Sequence, residues 1–304
     1  MPLIQHVRAL WGNWWLLPLL PLLFLAFVVS RGDLRPEHVV VVALIISLAY
    51  ATTWSKNILI ATLPGFAILF GYELVRYVRP LFVVPGRIIT CQMHEVEAAL
   101  FSFGTGVTPS DVFATHHTAA ADLFFAVPYT VFWMIAVGYS VLLFFRNRSR
   151  LAHYLWLLAA VHLVAFVIWM AWPVAPPWYV QLYGCAVDMQ APPSPAALLR
   201  VDQLLHITYY EGFYSRDPTV FGAMPSLHCA FPTVGLLAAW KGSSWLRRIP
   251  HILYVPWMLT ASVYLGHHWL LDGLVSIAIV AAANLVITRF LASPGGAKLA
   301  ASTA

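Results

Sequence analysis

The chain has 304 residues, of which 61% are hydrophobic and only 10% charged, and its mean hydropathy is +0.78. A soluble domain carries about 25% charged residues, so the composition excludes an ordinary water-soluble globule and fits a chain solvated by hydrocarbon. The formal charge of +5 and pI near 9.2 do not signal nucleic acid, because the 17 basic residues are scattered between apolar runs and form no stripe or tail.

A membrane-spanning helix needs roughly 17 to 25 mostly apolar residues. In chain order, such runs predict spans at 14–30, 39–54, 58–77, 122–145, 154–172, 225–240, 252–266 and 269–291. The first reads as an anchor helix rather than a signal peptide, since Ser30-Arg31-Gly32-Asp33 follows it and offers no small-residue cleavage site. The fold class is therefore an all-α polytopic transmembrane bundle of about eight spans. The expected division is N-terminal anchor helices over 1–60, a catalytic core over 61–292 and a flexible tail over 293–304.

Eight spans put both termini on one side. Arg8, Lys56, Arg146, Arg148, Arg150, Lys241, Arg247, Arg248, Arg289 and Lys298 share that side, close to span ends, and the positive-inside rule makes it cytoplasmic. The other side holds two long connections, 78–121 and 173–224. Long connections that are not linkers are often functional, and interleaved aromatic and aliphatic residues predict short interfacial helices within them. Cys91 and Cys185 fall in these two loops, which leaves a disulfide open without establishing one; with Cys229 they are read by default as free thiols. No Cys/His pattern has zinc-site spacing.

Two stretches carry chemistry. Phe221-Gly222-Ala223-Met224-Pro225-Ser226-Leu227-His228 opens the sixth span, where a proline suits the first helical turn and free backbone N–H groups attract an anion. Gly266-His267-His268-Trp269-Leu270-Leu271-Asp272 opens the last span, and His268 and Asp272, at i and i+4, share a helix face. Alternating topology brings both stretches to the non-cytoplasmic side. A carboxylate beside a histidine fixes its tautomer and favours its cationic form, which assigns His268 as nucleophile, Asp272 as its orienter and His228 as general acid. Each feature alone also has a structural reading, as a cap or a helix-face hydrogen bond; their pairing at one membrane surface favours catalysis.

These stretches resemble the second and third signatures of the type 2 phosphatidic acid phosphatase superfamily, Pro-Ser-Gly-His and Ser-Arg-x5-His-x3-Asp, and are most similar to its fungal-type inositol phosphorylceramide synthase branch. Trp172 through Tyr179 with Leu182-Tyr183-Gly184, Ser194-Pro195-Ala196 through Asp202, and Phe213 through Phe221 support that branch, over roughly residues 90–290. The resemblance implies a six-helix catalytic core and a phosphohistidine on His268. It further implies Ser226 as a phosphate ligand and no metal or other cofactor. The sequence departs from the family pattern at three positions. Leu227 replaces the glycine of the second signature, Ser262 stands where an arginine is expected six residues before the nucleophile, and Tyr72 occupies the lysine position of a first signature ending at Arg79-Pro80. A transferring phosphoryl group needs cations around its oxygens, and the candidates are Arg79, Arg87, Arg200 and Arg216, among which the sequence does not choose. His116 and His117, just before the fourth span, read as interfacial residues, with a place facing the site as the alternative.

The implied activity is transfer of phosphoinositol from phosphatidylinositol to ceramide or a similar lipid alcohol, with a lipid phosphate or polyprenyl diphosphate phosphatase as the alternative. A transporter or structural protein with a degenerate site is the reading from another class. The expected partners are the lipid donor and acceptor in the membrane, with no nucleic acid.

Overall fold

The structure is a computed structural model that describes residues 3–102, 104–215, 217, 220–240, 243–293 and 295. Among the described residues it is built from helices and short 3-10 turns, with no strand, as the composition predicts.

The chain divides into two compact units, 1–64 with 291–304, and 65–290. In the first, α1 (Leu3–Trp11) is followed by 3-10 turns, α2 (Pro21–Ser30), α3 (Pro36–Ala51) and the start of α4 (Thr53–Phe82). The first predicted span is not one straight helix: residues 4–14 and 17–30 are bent by 96°. The cause is local, since Pro18 and Pro21 head a 3-10 turn and α2 and remove backbone donors that a continuous helix would use. The unit is held by polar ties, with Trp11 Nε1 donating to Ala49 O at 2.8 Å and Lys56 Nζ to Leu10 O at 2.5 Å.

In the second unit, α4 continues to Phe82 and is followed by α5 (Cys91–Phe101), α6 (Pro109–Thr115), α7 (Ala119–Arg146) and α8 (Arg148–Ala171). Next come α9 (Pro177–Tyr183), α10 (Leu198–Leu205), α11 (Tyr209–Tyr214), α12 (Leu227–Trp240), α13 (Trp245–Tyr264) and α14 (Leu270–Ala292). Four helices, α4, α7, α8 and α14, are long and apolar enough to cross a membrane, or five spans if the bent N-terminal pair counts as one. The chain is thus a multi-pass membrane protein, but the count of eight is not reached on these criteria. Helix α3 has only 16 residues, α12 only 14, and α13 carries Arg247 and Arg248 in its first turn. Helix α7 shows how lipid solvent shapes a span. Asp122, Ala126, Tyr129, Phe132, Ala136 and Leu143 form a buried stripe at helical spacing, while Phe124, Val127, Met134 and Val137 stay exposed though apolar.

The two long loops are joined to each other. Isolated parallel bridges pair Ile89 with Val174 and Val174 with Gly222. Through them Ile89 N donates to Pro173 O, Ala175 N to Ile89 O, Val174 N to Phe221 O and Ala223 N to Val174 O, at 2.8–3.1 Å. This proximity corrects the reading of three free thiols: Cys91 and Cys185 form a disulfide with Cα atoms 5.1 Å apart, and Cys229 alone is free and buried. The bridge is set by backbone pairing between segments far apart in sequence, which spacing cannot reveal.

Candidate active site

Local backbone chemistry places the two histidine stretches. Helix α13 ends in a Schellman turn: Gly266 adopts φ +72°, its N–H donates to Val263 O, and His267 N donates to Ser262 O. A residue with a Cβ is strained at that φ. The turn is braced by Trp178 N donating to Gly266 O at 3.0 Å, so the Pro-Pro-Trp-Tyr stretch serves as a buttress for the histidines. Helix α14 then starts at Leu270, with Asp272 in its first turn reaching back to accept from Trp269 N at 2.8 Å.

The structure brings His228, His268, Asp272 and Ser226 together. His268 Nδ1 lies 2.8 Å from Ala223 O and its Nε2 lies 3.2 Å from His228 Nδ1. A carbonyl only accepts, so Nδ1 of His268 carries the hydrogen and Nε2 keeps the lone pair. His228 Nδ1–H then donates to it. Asp272 differs from the expected orienter. Its Oδ2 stands 3.7 Å from His268 Nδ1, too long for a hydrogen bond, because that oxygen caps α14. Ala223 O supplies the tautomer control, and the buried carboxylate supplies negative charge beside the ring. Ser226 is fully buried; its N–H donates to Asp272 O at 3.2 Å, and its Oγ accepts from Cys229 N at 3.4 Å.

Two contributors leave no clear mark in the sequence. Glu97 of α5 is fully buried, and its carboxylate accepts from Leu270 N at 2.7 Å and Leu271 N at 3.1 Å, capping the helix that follows His268. Burial pushes its carboxyl pKa up, and the two N–H groups pull it part of the way back. The second is an aromatic stack in the order His228, Tyr129, His267, Tyr214, with centroid spacings of 4.1, 5.4 and 4.6 Å and interplanar angles of 17°, 22° and 21°. Burial and the neighbouring His268 push the His267 pKa down to about 3, against the pull of its hydrogen bond to Pro195 O. His267 is therefore a neutral packing ring at pH 7.

The arginines predicted to bind phosphate differ in their contacts. Arg200 Nε and Nη2 donate to Asp122 Oδ1 at 3.0 and 2.7 Å, and Tyr264 OH donates to the same oxygen at 2.8 Å, which ties α10 to α7 and α13. Arg79 lies 5.7 Å over the Phe221 ring. Arg87 donates to Phe82 O and Ala171 O, and Arg216 lies outside the described residues. Tyr72, at the lysine position, packs its ring against His162, Phe166 and Trp169. Ser262 places its hydroxyl between Leu259 O and the Cys229 sulfur. His116 is exposed, and His117 Nδ1 stands 3.9 Å from Asp122. No group of three or more metal-ligating side chains occurs among the described residues.

Comparison with known proteins adds to this geometry. The PAP2 superfamily profile matches residues 92–286. Phosphoinositol dihydroceramide synthase of Bacteroides thetaiotaomicron is 30% identical over 261 residues, covering 84% of this chain and 85% of that protein. Inositol phosphorylceramide synthase of Candida albicans is 30% identical over 168 residues, which is 54% of this chain and 35% of the fungal one. The inositol phosphorylceramide synthase catalytic subunit of Saccharomyces cerevisiae is 32% identical over 168 residues, 54% of this chain and 41% of that protein. The matched segment thus spans less than half of either fungal protein. No solved structure matches the chain.

Proposed function

Because the chain belongs to the PAP2 superfamily, we propose that it transfers phosphoinositol from phosphatidylinositol to ceramide or a similar lipid alcohol through a phosphohistidine on His268. One observation carries the mechanism: His268 is pinned through Nδ1 to Ala223 O, with its lone-pair nitrogen 3.2 Å from His228. In the first step Nε2 forms a bond to phosphorus as the bond from phosphorus to the diacylglycerol oxygen breaks. Cationic His228 gives its proton to that oxygen, and diacylglycerol leaves. In the second step neutral His228 takes the proton of the acceptor hydroxyl. The acceptor oxygen bonds phosphorus as the P–N bond breaks and its electron pair returns to Nε2. Donor phosphate replaces the hydrogen bond between the two rings. Asp272, 3.7 Å from Nδ1 and shielded from water, balances the imidazolium that exists while phosphorus is attached.

Phosphate oxygens are held by Ser226 and the amino end of α12, with positive charge from Arg79 and Arg216. The site faces the non-cytoplasmic side. The Cys91–Cys185 disulfide in the adjoining loops supports this, because disulfides persist in oxidising compartments. Residues 1–60 act as membrane anchor and 61–292 as catalytic core.

The test uses purified protein in detergent, phosphatidylinositol labelled at its phosphate, and ceramide. Label should move into a ceramide-linked lipid. Label released as inositol phosphate would make the protein a hydrolase, and label left in the donor would reject this donor–acceptor pair.

A further inference from the structure

Beside the acid–base histidine lies a cavity of about 270 Å³. Helix α7 lines it with residues that include Tyr129, Thr130, Phe132 and Met134, and α11 with residues that include Tyr210 and Phe213. Two of its walls reach the chemistry: the Tyr129 and Phe132 rings lie 4.1 and 5.1 Å from that of His228. No lining residue is charged. An anionic phosphate headgroup would lie here without a counter-charge, whereas a neutral lipid loses nothing. The cavity also opens sideways, since Met134 is 61% and Phe213 50% exposed, and Met134 sits on the lipid-facing side of a spanning helix.

Its hydroxyls give it a direction. Thr130 Oγ1 donates to Ala126 O at 2.9 Å and stands 2.5 Å from Tyr210 OH. A hydroxyl has one hydrogen, so with that of Thr130 spent on Ala126 it is Tyr210 that donates to Thr130. The pair then presents acceptor lone pairs, on the Tyr210 oxygen above all, and no donor. It complements a ligand that brings an N–H or O–H group beside its chain.

We propose that this cavity between α7 and α11 is the acceptor subsite. It seats a neutral long-chain amide alcohol with its reacting hydroxyl at His228, and Tyr210 OH accepts from the amide N–H or a second hydroxyl. The assignment rests on the transferase reading for the reaction but is tested by occupancy, which needs no turnover. Diacylglycerol, whose single hydroxyl would be used at His228, has no donor left for Tyr210.

The full chain in detergent is illuminated with a ceramide carrying a diazirine on its chain, and labelled peptides are mapped by mass spectrometry. Label should fall on α7 and α11, and excess plain ceramide should suppress it while excess phosphatidylinositol does not. Met134→Trp, on the exposed rim, should cut labelling severalfold. Tyr210→Phe should raise the KM for ceramide by about 5- to 10-fold while leaving that for phosphatidylinositol within twofold; Thr130→Val, which removes Tyr210's partner, serves if that variant does not fold. Label mapping to other helices, or equal competition by phosphatidylinositol, would overturn the assignment. A protein that labels as expected but transfers nothing would retain the subsite and lose the transferase reading.

Discussion

Glu97→Ala tests whether α5 holds His268, the proposed nucleophile, in place. The substitution deletes two hydrogen bonds to a carboxylate, at 2.7 and 3.1 Å, and leaves Leu270 N and Leu271 N without these partners. Hydrogen bonds to charged groups contribute about 1.5–3 kcal/mol each, which sets an upper range of about 3–6 kcal/mol. Two effects pull the figure down. Ionising Glu97 in a fully buried position already costs free energy, and Asp272 repels its charge. A loss of about 3 kcal/mol is expected, which for a core of this size lowers Tm by roughly 6–12 °C. Leu270 follows His268 by two residues, so a loosened helix start also misplaces the nucleophile, and transfer should fall by about 100-fold. Glu97→Gln, which keeps one acceptor, should lie between. The assays are thermal unfolding in detergent and transfer of labelled headgroup. An alanine variant with unchanged Tm and unchanged transfer would refute the reasoning.

Three further outcomes follow from particular contacts. Gly273→Ala would put a Cβ 2.2 Å from Leu259 Cδ1 and 3.1 Å from the Cys229 sulfur; the leucine tip can swing but the sulfur sits on α12, so a loss of about 1–3 kcal/mol is expected, and Cys229→Ala in the same chain should restore part of the Tm. Burial raises the Asp111 carboxyl pKa, but hydrogen bonds from Thr108 N–H, Thr108 OH and His94 outweigh it and hold the group below its ordinary value. The resulting stabilisation of α6 is present above the unfolded value of about 3.9 and is lost as pH falls through the lowered one; amide exchange should show this, and Asp111→Asn should abolish the dependence. Ser243→Cys, in the basic α12–α13 connection, should react with a membrane-impermeant maleimide only after the membrane is opened; labelling of intact cells would reverse the orientation.

The fold class and the paired histidines were legible in the sequence because both depend on local pattern. Apolar runs mark spans, and Gly266 ahead of His267-His268 marks a helix end that is followed by a new helix start. The orienting group was not legible. Asp272 has the spacing to serve His268, yet its oxygen is taken by Trp269 N, and the carbonyl that replaces it belongs to Ala223, whose side chain carries no signal. Glu97 and the Cys91–Cys185 bridge escape for a related reason. Each acts across more than 90 residues of chain, through loops that Ile89, Val174 and Gly222 join by backbone pairing. The first span fails on local grounds, because Pro18 and Pro21 turn an apolar run into a bent pair.

The central claim is a covalent bond between His268 and phosphorus, and trapping it is the most direct test. Phosphatidylinositol labelled at its phosphate is mixed with enzyme without acceptor, quenched in alkali, and the digested protein is mapped. The account predicts acid-labile, alkali-stable label on the peptide containing His268, absent from His268→Ala and chased into lipid product when ceramide is added. Product formed at full rate by His268→Ala, or label found on another residue, would contradict it.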